Sequence, residues 1–104
     1  MAILESNVII NRIDDIPRTC NWSARDRGWD QVDTIIVHQT DTTCRNAEDQ
    51  LISTANYHIN HNNWCSIGYH IYIDQDGKIY QVNKLKDRGA HAGNANDYSI
   101  GIVM

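Results

Sequence analysis

The stretch Ser66–Gln81, SIGYHIYIDQDGKIYQ, constrains the fold of this chain more than any other. Within Ile67–Ile73 every second residue is apolar, which is the period-two pattern of a strand with two different faces. The dipeptide Asp76-Gly77 tolerates positive φ, as tight hairpin turns require. The β-formers of Lys78–Val82 follow at once. The stretch therefore predicts a β-hairpin.

Composition limits the classes of protein that this chain can belong to. Its 104 residues, 41% hydrophobic and 21% charged, suit one globular domain with a single core. A net charge of −4, without a Lys/Arg cluster, argues against a nucleic-acid partner. No apolar run approaches the ~20 residues of a membrane span, and the N-terminus lacks the pattern of a secretory signal. Three cysteines without CxxC spacing, Cys20, Cys44 and Cys65, predict reduced thiols in a cytosolic product.

Two more strands and one helix are predicted. Asp33–Thr40, DTIIVHQT, is β-branched at its centre, which suits a strand buried on both faces. Asn46–Asn60 has a capping asparagine, carboxylates in its first turn and an apolar stripe at helical spacing. Ser99–Met104, SIGIVM, has the composition of a buried strand. The expected fold class is α/β, a mixed central β-sheet with flanking helices. Its predicted elements are the strands Asp33–His38, Ile67–Ile73, Lys78–Val82 and Ser99–Val103 and the helix Ala47–Asn60.

The chain divides into two unequal parts. Residues 1–32 are predicted to be an N-terminal segment that wraps the surface and includes a short β-like run, Asn7–Arg12. Trp22 and Trp29 in this segment are interpreted as packing anchors rather than ligand platforms. Residues 33–104 are expected to hold the main part of a single domain.

Three histidines lie at strand ends or in a tight loop: His38, His70 and His91. A histidine such as His38, between a strand and a polar loop, suits either a functional site or a hydrogen-bonded structural role. Tyr69 and His70 are adjacent in a predicted strand and should point to opposite faces, so at least one is not simple core filling. Catalytic zinc uses three protein ligands plus a water, and no local metal motif such as HExxH occurs here. Any metal site must therefore be assembled from distant segments.

Four segments occur together in the order of a known family. They are IIVHQT at Ile35–Thr40, YHINHNNWCSIGYHIYIDQDGKIYQ at Tyr57–Gln81, GAHAG at Gly89–Gly93 and SIGI at Ser99–Ile102. Through them the chain resembles the zinc-dependent N-acetylmuramoyl-L-alanine amidases. Phage endolysins and peptidoglycan recognition proteins share that fold. The resemblance runs from about residue 35 to the end of the sequence.

This resemblance implies roles for individual residues. His38 matches the first zinc ligand of the family, and Tyr69 matches a tyrosine that stands near the zinc-bound water and the scissile carbonyl. His91 matches a histidine that lines the substrate groove. Thr40 and Asn94, in the loops expected to border that groove, are expected to contact substrate. His70 is expected to be structural.

The implied activity is that of a cell-wall lytic hydrolase. Zinc would activate a water that cleaves the amide bond between N-acetylmuramic acid and L-alanine in peptidoglycan. Tyr69 would orient that water or stabilise the oxyanion. A second branch of the family has a glutamate base where this chain has Val103, so the tyrosine branch fits better.

In the family the other two zinc ligands follow the SIGI strand, whereas this sequence ends at Met104. The expectation is an amidase domain truncated at its C-terminus, with an incomplete zinc site. The alternatives are a non-catalytic peptidoglycan-binding module and an inert fragment. The expected partner is bacterial peptidoglycan or a muropeptide, together with self-association through the C-terminal strand. The expected location is that of an endolysin, made in the cytoplasm without a signal peptide and acting on the cell wall.

Overall fold

The computed structural model describes residues 9–20, 29–39 and 46–104. Its five strands form one sheet in the order β1-β4-β3-β5-β2. β3 and β4 are antiparallel, and the other three pairs of neighbours are parallel. The mixed sheet of an α/β fold is therefore confirmed. The strands are β1 (Ile9–Asn11), β2 (Thr34–His38), β3 (Ile71–Ile73), β4 (Ile79–Gln81) and β5 (Ser99–Val103).

The predicted hairpin is present as β3 and β4, with shorter strands than predicted. Gly77 has a φ of 85°, and the carboxylate of Asp74 accepts hydrogen bonds from the backbone N–H groups of Asp76 and Lys78. The prediction that the first strand starts at Ile67 is wrong. The backbone before β3 makes other hydrogen bonds, because the N–H of Gly68 donates to a histidine ring and its carbonyl accepts from the following loop.

The helix α1 (Ala47–Asn62) begins where predicted and runs two residues further. Asn46 caps its first turn, since its Oδ1 accepts from the N–H of Asp49 at 3.1 Å. Asn63 ends the helix in the left-handed conformation, with a φ of 60°. Near its start, Glu48 accepts two hydrogen bonds from Arg12, both of 2.8 Å, and this contact lowers the pKa of Glu48.

The core lies between α1 and one face of the sheet. Side chains from the helix meet side chains from the central strands there, which is the usual way that an amphipathic helix covers a sheet. The buried hydrophobic residues are Ile16, Leu51, Ala55, Ile67, Tyr72, Tyr80, Val82 and Val103.

The other face of the sheet carries aliphatic residues on every strand. The strand register places the same kind of residue side by side, for example Ile71 beside Ile102, and Ile102 beside Val37. We call this surface the isoleucine face, and it consists of Ile9, Ile35, Val37, Ile71, Ile73, Ile79, Ile100 and Ile102. Ile35 is 63% exposed and Val37 is 60% exposed. The prediction that β2 is buried on both faces is therefore wrong, because β2 is an edge strand and only its other face is turned toward the core side.

The N-terminal segment does more than wrap the surface. β1 pairs with β4, so Ile9–Asn11 is a strand of the sheet. Cys20 and Cys65 form a disulfide with their Cα atoms 4.8 Å apart, which overturns the prediction of reduced thiols. A cysteine count could not reveal this pairing between residues 45 positions apart. The side chains of Trp22 and Trp29 lie outside the described part of the chain. Within that part, no helix is long and apolar enough to cross a membrane.

Candidate functional site

Three residues that the sequence predicted as site residues come together on the core side of the sheet. His38 ends β2, Tyr69 lies two residues before β3, and His91 lies in the loop between β4 and β5. The ring centroid of His38 is 5.2 Å from that of Tyr69 and 5.1 Å from that of His91. The roles that the family resemblance implies require these side chains to lie close together, and the structure brings them together, while the roles themselves stay predictions.

The position of His38 is fixed by the parallel pairing of β2 with β5. His38 lies beside Val103, and its carbonyl accepts a hydrogen bond of 3.0 Å from the N–H of Met104. Partial burial lowers the pKa of His38 below its ordinary value, because a charged imidazolium would lose hydration there. The His38 ring is therefore neutral at pH 7.

A chain of hydrogen bonds orients the His38 and His91 rings. Nε2 of His38 is 2.9 Å from Nδ1 of His91, and Nε2 of His91 is 3.4 Å from Oγ of Ser99. The Ser99 hydroxyl donates to the carbonyl of Ala95 at 2.6 Å. Because a hydroxyl has one proton, Ser99 accepts from Nε2 of His91 when that nitrogen is protonated, and a neutral His91 then accepts at Nδ1 from Nε2 of His38. The contacts therefore fit the Nε2–H tautomer of both rings.

Two glycines allow the GAHAG loop to lie against the sheet. A Cβ atom built on Gly101 in β5 would be 2.6 Å from Cγ of His91, so the imidazole occupies the space of a missing side chain. A Cβ atom on Gly68 would overlap the carbonyl of Ala90, whose N–H donates to the Gly68 carbonyl at 3.0 Å. The close approach of backbone that the small residues predicted is thus the feature that positions His91.

Asn96 holds the other side of this loop. It is buried in a short 3-10 helix, and its Oδ1 accepts from the N–H groups of His91 at 2.9 Å and Ala92 at 2.8 Å. Asn94, which was predicted to contact substrate, is exposed and does not line the cleft. Asn96, two positions later, lines the cleft instead, because one turn of a 3-10 helix directs neighbouring side chains to different sides. Thr40, the other predicted contact, lies outside the described residues.

Tyr69 and His91 line a cleft with a volume of about 460 Å³, which is within the usual range for small-molecule sites. His38 was expected to face the same cleft, but it contacts these two rings without lining it. Four of its lining residues were not predicted: His58, Trp64, Arg88 and Asn96. A signal existed for His58, which falls on the apolar stripe of α1 seven residues after Leu51. The cleft is lined by His58, Trp64, Tyr69, Arg88, Ala90, His91, Ala92, Gly93 and Asn96.

One wall of the cleft is aromatic. The His58 ring lies between Trp64, at a centroid distance of 4.7 Å, and Tyr69, at 5.8 Å. Nδ1 of His58 accepts the N–H of Gly68 at 3.0 Å, and burial lowers the pKa of this histidine. His58 is therefore neutral and connects α1 to the segment that carries Tyr69.

His70 lies beneath the cleft and is fully buried. Its Nε2 is 2.7 Å from the carbonyl of Asp87, and its Nδ1 accepts the N–H of Gly101 at 3.0 Å. Both ring nitrogens are thus engaged with backbone groups, so neither is available to a ligand or a metal. This arrangement fits the structural role expected for His70.

The described residues do not fit a catalytic zinc site. Such a site needs three protein ligands, and within residues 9–20, 29–39 and 46–104 no group of three or more His, Cys, Asp or Glu side chains could hold a metal ion. Nε2 of His38 is instead directed at His91, 2.9 Å away.

The sequence and the fold of this chain are similar to those of known proteins. Peptidoglycan recognition protein 3 of Mus musculus is 31% identical over 96 residues, which cover 85% of this chain and 27% of that protein. The structure of bumblebee PGRP-SA is similar with a TM-score of 0.75 and 28% identity, covering 91% of this chain and 58% of that one. A Drosophila PGRP-LB variant in complex with tracheal cytotoxin has a TM-score of 0.65 and 27% identity, with the same coverage.

The chain thus spans 58% of these solved structures and about a quarter of the mouse protein. A family model described as N-acetylmuramoyl-L-alanine amidase matches residues 28–104. The match includes β2 to β5, the helix and the three rings of His38, Tyr69 and His91. The chain belongs to the N-acetylmuramoyl-L-alanine amidase family.

Proposed function

We propose that this chain binds the muramyl-peptide part of peptidoglycan in the cleft beside His38, Tyr69 and His91. The observation that carries the proposal is the cleft itself, a concave site of about 460 Å³ in a member of this family. Its aromatic wall offers apolar faces to the lactyl and alanine methyl groups. The relatives named for peptidoglycan recognition support this choice of ligand.

Calorimetric titration of the chain with a soluble muramyl pentapeptide tests the proposal. Tyr69→Ala and His91→Ala should each weaken binding about tenfold or more, because each removes a lining ring. Tyr98→Ala and His61→Ala are matched controls, since both residues are exposed and neither lines the cleft. No binding by the unaltered chain at millimolar ligand, or an equal loss in the control variants, would contradict the proposal.

A second candidate is the amidase reaction of the family, for which the proximity of His38 to Tyr69 is the specific observation. The bond cleaved would be the amide between N-acetylmuramic acid and L-alanine, with zinc as the cofactor and Tyr69 near the reacting carbonyl. Because the described residues do not fit catalytic zinc, we propose that hydrolysis needs ligands beyond them. The 104-residue chain alone should then bind muramyl peptide without cleaving it.

Release of soluble stem peptide from purified cell walls, with zinc added, tests this second proposal. No turnover is expected from the chain alone. Turnover that disappears with a chelator and with His38→Ala would show that the chain, or a second copy of it, completes the metal site. The absence of both turnover and muramyl-peptide binding would support the inert-fragment alternative.

We also propose where the chain acts and how it associates. A disulfide persists in oxidising surroundings, so the Cys20–Cys65 bond favours a site of action outside the cytosol, where peptidoglycan lies.

Self-association was expected through the C-terminal strand. However, β5 already pairs with a strand on each side, and pairing with a second chain would displace β2 or β3. The isoleucine face is the better candidate surface, because it leaves Ile35 and Val37 mostly exposed. A monomer in sedimentation equilibrium at high concentration would contradict self-association.

A further inference from the structure

The backbone that carries Tyr69 is fastened by the side chain of Asn83. Tyr69 lines the cleft, but it precedes β3, which begins at Ile71. The carbonyl of Ile67 accepts a hydrogen bond of 2.8 Å from Nδ2 of Asn83, and the carbonyl of Tyr69 accepts one of 2.6 Å from the same nitrogen. Asn83 therefore holds the backbone on both sides of the residue between them.

The Asn83 amide can do this in only one of its two orientations. Its side chain is fully buried and offers one acceptor oxygen and one nitrogen with two donors. Both donors are used by the two carbonyls, so Oδ1 must point away from the segment that carries Tyr69. A rotated amide would place an oxygen against two carbonyl oxygens and would lose both hydrogen bonds.

Arg18 fixes that orientation from the other side of the amide. Its Nη2 donates to Oδ1 of Asn83 at 3.0 Å, and it also lies 3.2 Å from the carbonyl of Val82 and 3.3 Å from that of Ile13. A guanidinium has donors only, so it pairs with the amide oxygen and excludes the rotated amide. A hydrogen bond from a charged donor is also stronger than one between neutral groups.

The segment that carries Arg18 is held in place by further contacts. The N–H of Thr19 donates to the carbonyl of Cys65 at 2.8 Å, and Cys20 forms the disulfide with Cys65. Arg18 therefore has a fixed place in the fold, although it precedes residues 28–104, which the family model matches.

From these contacts we infer that Arg18 is a positioning residue for the cleft. Through the Asn83 amide it fixes the place of Tyr69, and it thereby raises ligand affinity without contacting the ligand. Arg18 is absent from the lining of the cleft, which fits an indirect role. The effect on affinity rests on the proposed function, whereas the place of the Tyr69 ring is measurable without any ligand.

The first test measures the position of the Tyr69 ring in the ligand-free chain. The NMR shifts of ring protons depend on neighbouring aromatic rings, and the Tyr69 ring lies 5.2 Å from His38 and 5.8 Å from His58. Arg18→Gln should move the Tyr69 signals and leave those of the buried Tyr72 in place. The unmoved Tyr72 signals also show that the variant is folded.

The second test is calorimetric titration with the soluble muramyl pentapeptide. Arg18→Gln should weaken binding about three- to tenfold, because one charge-assisted hydrogen bond no longer supports the place of the ring. In a Tyr69→Ala background the same substitution should have almost no further effect, since no ring remains to be positioned. Arg18→Lys keeps the charge on a side chain without the guanidinium, so it should retain part of the affinity.

Arg12→Gln is the matched control for Arg18→Gln. Arg12 lies in the same N-terminal segment, carries the same charge and makes two side-chain hydrogen bonds, but it makes them to Glu48 of α1. Arg12→Gln should leave the affinity and the Tyr69 signals unchanged. A loss of affinity as large as in Arg18→Gln would make net charge or general loosening the cause and would overturn the inference.

The outcomes distinguish this inference from the proposed function. If the unaltered chain binds no muramyl peptide, the proposed function fails, and the Tyr69 signals alone decide whether Arg18 positions the ring. If Arg18→Gln leaves those signals in place, or keeps the full affinity, the function stands and the inference is overturned. An equal loss of affinity with and without the Tyr69 ring overturns it as well. Should Arg18→Gln not fold, Arg18→Lys undergoes the same two measurements and is judged by the same criteria.

Discussion

Replacing Gly101 by Ala tests whether the missing side chain in β5 positions the His91 ring. The new Cβ would lie 2.6 Å from Cγ of His91 and 2.7 Å from its Nδ1, whereas carbon contacts in proteins are ~3.5–4.0 Å. The ring must therefore withdraw by about 1 Å. Because its Nδ1 is already only 2.9 Å from His38, such a shift breaks or distorts that hydrogen bond.

The expected loss in the free energy of unfolding is about 2–4 kcal/mol. Overpacking of a filled site costs about 1–3 kcal/mol, and a lost hydrogen bond adds about 1 kcal/mol. Urea denaturation measures this loss, and nitrogen NMR shifts of the imidazoles report whether the contact between His38 and His91 survives. Muramyl-peptide affinity should fall as well, since His91 lines the cleft.

A double-mutant cycle with His91→Ala makes the test specific. Once the ring is gone, Gly101→Ala has space, so it should cost much less in that background than alone. Gly77→Ala is the control: its φ of 85° costs about 1 kcal/mol, but a Cβ there meets nothing within 4 Å. Equal costs of Gly101→Ala with and without the His91 ring would refute the reasoning.

Three further predictions concern pH, redox state and metal. Burial lowers the pKa of His58 in the folded chain, so below about pH 6.5 the unfolded chain binds more protons than the folded chain. The free energy of unfolding should therefore fall as pH falls, and it should level off below the pKa of His58 in the folded chain. His58→Gln should lose less stability than the unaltered chain between about pH 7.5 and 5, and an equal loss contradicts this. Replacing Cys20 and Cys65 by serine should lower the free energy of unfolding by about 4 kcal/mol in urea titrations, given a separation of 45 residues, and a loss under ~1 kcal/mol refutes the estimate. Zinc titration should show only weak binding, since the described residues offer too few ligands. Stoichiometric zinc binding with a nanomolar Kd that is lost in His38→Ala would contradict this prediction.

The elements that depend on local signals were predictable from the sequence. The capping side chain of Asn46 and the apolar spacing of the next residues located α1, and the Asp76-Gly77 turn located the hairpin. β5 agrees with the predicted Ser99–Val103, because its short apolar run has the composition of a buried strand. The meeting of His38, Tyr69 and His91 was predictable from their positions at strand ends and in a small-residue loop together with the family resemblance, although no spacing connects them.

The errors concern properties that depend on neighbours in space. The β-branched residues in β2 correctly indicated a strand. The burial of that strand, however, depends on its place in the sheet, and β2 lies at the edge, where Ile35 is exposed. The choice between Asn94 and Asn96 depends on side-chain direction within one short turn. From the sequence, Arg88 is indistinguishable from a charged residue on a solvent-exposed loop. Its position in the lining of the cleft depends on the fold.

The pairing of β1 with β4 has a consequence for the order of folding. These strands are adjacent in the sheet but about 70 residues apart in the chain, so joining them costs considerable loop-closure entropy. The Cys20–Cys65 bond shortens the path between them to roughly 25 residues. The hairpin and the helix involve only local contacts and can form first, whereas β1 must find its place afterwards. The oxidised chain should therefore complete its sheet faster than the reduced chain, with β1 as the last strand to dock.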